Sequence, residues 1–143
     1  RFIRWLARWE DPERALLSDY VIELDAILAT ESAISEQRAE NIATPMFAQE
    51  SISSRAALVQ STEELVAALQ LLSPPERARE LQQQAEDHLG RVLEWLSLEL
   101  QASQTQDNVP LRAANAMIPE LSARDFTLKR NLSNLKFIFN IPD

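Results

Sequence analysis

The sequence predicts an all-α protein, an antiparallel helical bundle of four to five helices with coiled-coil-like seams. Three observations lead there. The chain of 143 residues contains one glycine, and sheets, tight hairpins and phosphate loops draw on glycine for positive φ. Apolar residues recur at steps of three and four over long stretches, the spacing of one helical face. Two such stretches, between Ile52 and Leu100, meet at Ser73-Pro74-Pro75-Glu76. That pattern reads as the corner of a helical hairpin.

The chain opens on Arg1–Trp9. A helical projection places Phe2, Trp5, Leu6 and Trp9 on one side and Arg1, Arg4 and Arg8 on the other. This aromatic and basic segment is expected either to dock on a partner or an anionic membrane surface, or to close the domain's own core. Asp11-Pro12-Glu13 follows as a helix start: a capping carboxylate, proline at the first helical position and an acid at the positive helix end. From there Leu17, Tyr20, Val21, Leu24, Ile27, Leu28 and Ile34 fit a 3.6-residue period. Beyond Ile34 the face is polar until Pro45. The outer half of this helix is therefore expected to face another subunit or to fray.

Met46 and Phe47 are the expected corner contacts, after which Leu58, Thr62, Leu65, Leu69 and Leu72 form a four-and-three seam flanked by Val59 and Val66. At the corner, Ser73 and Glu76 have the spacing of a reciprocal capping box. The returning helix carries Ala78, Leu81, Ala85, His88, Leu89, Val92, Trp95, Leu96 and Leu100. Its stretch from Val92 to Leu100 is apolar nearly all round, which predicts cover on more than one side. Gly90 inside it predicts a close approach by a neighbouring helix. Residues 101–109 read as a polar loop, Pro110 as the opening of a short helix through Met117, and Pro119 as the first turn of the last helix. That helix presents Leu121, Leu128, Leu132, Leu135 and Phe139 as a seam, interrupted by Asp125. The closing run Phe137–Pro142 is too apolar for a solvated tail.

Residues 1–143 thus read as a single helical-bundle domain. Because the chain begins with Arg1, it is expected to be a fragment of a longer protein, with an N-terminal anchor at 1–9. Hydrophobic residues make up 45% and charged residues 25%, a globular rather than disordered balance. The formal charge of −8 is unevenly placed. Arg1–Trp9 has three arginines and no acid, Glu10–Asp107 has nineteen acids against six bases, and Asn108–Asp143 has five bases against three acids. An acidic body repels phosphates, so nucleic-acid binding by the bundle is not expected. The absence of cysteine removes thiol and disulfide chemistry and fits an intracellular, cytoplasmic or nuclear setting.

Catalytic groups are scarce. A serine triad needs a histidine base, and His88 is the one histidine; it reads as a partly buried helix residue beside Asp87. The bundle di-iron pattern needs Glu three residues before His, where this chain has Ala85. With one glycine, neither the dinucleotide fingerprint nor the phosphate loop can form. No catalytic residue, metal or cofactor is therefore expected. Asp125 reads as a polar residue that selects register or lies at the seam's edge. The function expected is that of a non-catalytic scaffold or adaptor subunit that binds other proteins, or itself, by helix–helix packing. The alternative is a peripheral membrane domain anchored by Arg1–Trp9. Candidate partner-binding residues are Phe2, Trp5, Leu6, Trp9, Ile34, Trp95, Phe137 and Phe139.

Overall fold

The computed structural model describes residues 12–41 and 45–143. Among them are four α-helices and no strand: α1 Pro12–Glu40, α2 Gln49–Gln70, α3 Arg79–Thr105 and α4 Asn108–Phe139. A 3₁₀ turn, Glu76–Ala78, precedes α3. The aromatic segment 1–9 and the capping residue Asp11 lie outside the described residues.

The helices alternate in direction. Arg14 near the start of α1 donates to the carbonyls of Phe139 and Asn140 at the end of α4. At the opposite end, Arg38 of α1 and Arg55 of α2 converge on Glu99 of α3. Backbones approach closely along α1–α2, α2–α3 and α3–α4, whereas α1 and α4 close the bundle mainly through side chains. Leu17, Val21 and Leu24 of α1, Leu58 and Leu69 of α2, Leu89 and Val92 of α3, and Leu128 and Leu132 of α4 build one core. All seven apolar positions expected on the inner face of α1 are buried. Helix α3 packs against both α2 and α4, which explains the apolar circumference from Val92 to Leu100.

The corner turns the chain back as expected, but its cap is different. Ser73 is exposed, and neither the 3₁₀ turn nor α3 has a side-chain N-cap. The helix is entered instead through Pro75, whose carbonyl accepts from the Ala78 amide at 2.9 Å. Proline's fixed φ preorganises that entry without a hydroxyl. Gly90 is also corrected: a Cβ built there meets nothing within 4 Å, so no neighbour requires the glycine.

The expected loop at 101–109 shrinks to Gln106 and Asp107. Helix α3 continues to Thr105 because Ala102 and Ser103 are buried against the bundle. Ser103 meets the Met46 sulfur, so Met46 is a corner contact. Gln106 takes the left-handed conformation at φ 55°, and the Asp107 carboxylate accepts from the Val109 amide at 2.9 Å to cap α4. Pro119 lies inside α4 rather than at a helix start. It and Asn115, the residue four before it in the helix, are exposed, so the backbone bond that proline removes lies on the solvent side. At the far end, Asn140 is left-handed at φ 57° and the Ile141 amide donates to the Lys136 carbonyl at 2.8 Å. Ile141 is buried, which completes a Schellman closure.

Polar contacts cross the interior at two levels. Near the corner, the Tyr20 hydroxyl donates to Gln82 Oε1 at 2.7 Å, and Gln82 Nε2 donates to the Leu69 carbonyl at 2.8 Å. Burial, and then the nearby Glu86 charge, push the Tyr20 phenol above its ordinary value. At the other end, Glu99 is 2% exposed and takes two bonds from Arg38, at 2.6 and 3.0 Å, and one from Arg55 at 3.0 Å. The Arg38 guanidinium also lies 4.2 Å from the Trp95 ring centroid. The outer half of α1, whose sequence suggests another subunit or fraying, is thus tied to its own chain by a charge network. Among the described residues no helix is long and apolar enough to cross a membrane.

Candidate functional site

The looser closure between α1 and α4 leaves a cleft floored by α3. A pocket of about 340 Å³ opens there, walled by Glu31 and Ser35 of α1, His88 and Trp95 of α3, and Leu121 and Asp125 of α4. A second hollow of about 330 Å³ continues along the same seam toward Asp25 and Lys136, sharing Ser32 and Lys129 with the first. Lys136 and Asp25 bridge its far end at 2.8 Å.

His88 occupies the middle of this floor. The apolar face of α3 carries it inward with Ala85, Leu89 and Val92, and it is 2% exposed. Its Nε2 stands 3.6 Å from Glu31 Oε1 and 3.8 Å from Asp125 Oδ1. Both separations exceed hydrogen-bonding reach. Among the described residues, neither ring nitrogen has a hydrogen-bond partner, and neither does the buried indole nitrogen of Trp95. Buried polar atoms are nearly always paired, so three unpaired nitrogens around one pocket single it out.

The carboxylates are held differently. Glu31 is buried, and among the described residues the one basic side chain within ion-pair distance of it is His88. Asp125, about one-third exposed, is fixed from the other side by Lys129, whose Nζ lies 3.0 Å from Oδ2. That bond leaves Oδ1 turned toward His88. One imidazole and two carboxylates, each from a different helix, place their ligand atoms within 4.8 Å of one another. Such a set can hold an imidazolium between two anions or supply three ligands to a cation. On the neighbouring surface, hydrogen bonds from Arg91 hold the Glu120 carboxyl below the usual carboxylate range.

The candidate partner-binding residues separate. Phe2, Trp5, Leu6 and Trp9 lie outside the described residues. Ile34 is 6% exposed and belongs to the chain's own core. Trp95 is half-buried beneath Arg38 and lines the pocket. Phe139 packs against the core, with the Arg77 guanidinium 5.2 Å from its ring centroid, while Phe137 is 87% exposed. Sequence reasoning treated His88 and Asp125 separately and did not single out Glu31. The available signal was that all three interrupt otherwise apolar lines; Glu31 lies four residues after Ile27 and three before Ile34. No family model matches the chain, and neither the curated proteins nor the solved structures include a match.

Proposed function

We propose that this chain is a non-catalytic adaptor subunit that associates with other proteins, or with a second copy of itself, through the outer face of α4, within an intracellular assembly. The observation that carries this reading is the exposure of Phe126 and Phe137, 67% and 87% respectively. They are separated by about three helical turns and so share one line along the helix. Ile138, also exposed, widens the line at its C-terminal end. Leu71, at the end of α2, adds a further exposed apolar side chain at the same end of the bundle. Arg130 and Ser133 lie between the two rings, so the line presents two separate aromatic anchors, and their covering by another helix is favoured because it removes apolar area from water. Arg130, with its guanidinium 5.9 Å from the Phe126 ring, gives the line a cationic border for a partner carrying acids.

Sedimentation velocity over a range of protein concentrations tests the self-association form, comparing the natural chain with the double variant Phe126→Gln, Phe137→Gln. The expected result is a concentration-dependent heavier species that the variant loses while keeping its helical circular dichroism. For partners other than itself, a photo-reactive side chain at position 137 of the intact protein should give one discrete cross-linked product. A natural chain that stays monomeric and yields no cross-link contradicts the reading.

A further inference from the structure

We propose that Glu31, His88 and Asp125 form a binding site for one divalent cation of the zinc class, with a single ligand from each of α1, α3 and α4. The proposal is independent of the association surface on α4, and either can fail without the other.

The distances fit such an ion. Zinc binds imidazole nitrogen and carboxylate oxygen at about 2.0–2.2 Å, which sets tetrahedral ligand atoms roughly 3.3–3.6 Å apart. The two edges from His88 Nε2 measure 3.6 and 3.8 Å. All three ligand atoms fall within 4.8 Å of one another, so the remaining edge exceeds tetrahedral size by about 1 Å at most. The triangle is thus wider than a hydrogen-bonded triad and close to the size of a metal-centred one.

The electrostatics favour a cation over the bare cluster. Two carboxylates face one imidazole, and among the described residues the buried Glu31 has no Lys or Arg within ion-pair distance. Buried charges are held by opposite charges or by metals. Lys129 compensates Asp125 through Oδ2 and leaves Oδ1 directed at His88, the arrangement by which an outer partner orients a ligand.

The donor set narrows the class. Imidazole suits zinc and its first-row neighbours, whereas magnesium and calcium take oxygen ligands, and soft ions such as Cu(I) prefer sulfur. Three protein ligands leave a fourth position that opens into the pocket. The Arg38–Glu99–Arg55 cluster offers no comparable site, since its carboxylate is already paired on both oxygens.

The experiment uses the untagged, chelator-treated chain. Because His88 is the one histidine, its imidazole signals in a long-range proton–nitrogen correlation spectrum report on the site without assignment ambiguity. One equivalent of Zn²⁺ should move the Nε2 signal, and an excess of Mg²⁺ should not. Calorimetry should give a single site, and Co²⁺ should develop the visible absorption of a low-symmetry complex. Glu31→Gln and Asp125→Asn, which keep side-chain shape, should each weaken Zn²⁺ binding about ten-fold or more. Both variants should retain the natural circular dichroism. Unmoved His88 signals at stoichiometric Zn²⁺, or undiminished affinity in Glu31→Gln and Asp125→Asn, would overturn the proposal.

Discussion

At the level of single residues, the polypeptide places its caps where local chemistry competes best rather than where a motif first matches. Ser73 and Glu76 have capping-box spacing, yet Pro74 and Pro75 keep the intervening backbone out of the helix, so Ser73 stays exposed. Asp107 instead has a free approach to the Val109 amide. Ser73→Ala should therefore leave stability within about 0.5 kcal/mol, and Asp107→Ala should lower it by about 0.5–2 kcal/mol. Urea unfolding of the two variants side by side checks this, and equal losses would contradict the assignment of the cap. Gln106 and Asn140 are the two described residues with positive φ. Neither is glycine, which is why a chain with one glycine still ends two helices in the left-handed conformation.

At the level of elements, hydrophobic periodicity made the helices legible and polar stretches concealed their ends. The inner faces of α1 and α2 were readable because Leu17, Leu24, Leu58 and Leu69 point at one core. The end of α3 was not, since Gln101 and Thr105 are polar while Ala102 and Ser103 are buried between them. Pro119 looked like a boundary because an interior proline removes a bond, but on the exposed side of α4 that loss is not a buried one. The outer half of α1 was obscured for another reason. Its contacts are charged, and no local pattern pairs Arg38 with a glutamate 61 residues away. Glu99→Gln leaves two guanidiniums without their buried carboxylate and should cost about 3–5 kcal/mol. Amide exchange should accelerate most between Ser35 and Glu40, ahead of the middle of α3. Unchanged exchange there would mean that the network does not hold the end of α1.

At the level of the whole molecule, the fold class follows from the repeated apolar spacing, whereas the candidate site follows from topology. Glu31, His88 and Asp125 belong to three helices, so no spacing rule within one segment joins them. What the sequence did show was a polar residue on each of three apolar lines, and the antiparallel order brings those interruptions to one level. The unequal closure of the bundle then separates two surfaces: a cleft between α1 and α4 that holds Glu31, His88 and Asp125, and the exposed Phe126 and Phe137 on the outside of α4. The adaptor reading draws on the exposed rings and the cation site on the cleft.

The bundle's closure, and with it the cleft, depends on α1 and α4 meeting over His88, and nuclear Overhauser contacts from its imidazole protons measure that meeting directly. The account predicts cross-peaks to the side-chain protons of both Glu31 and Asp125, alongside those of Ala85 and Val92 within α3. Cross-peaks confined to α3 and α2 would contradict it.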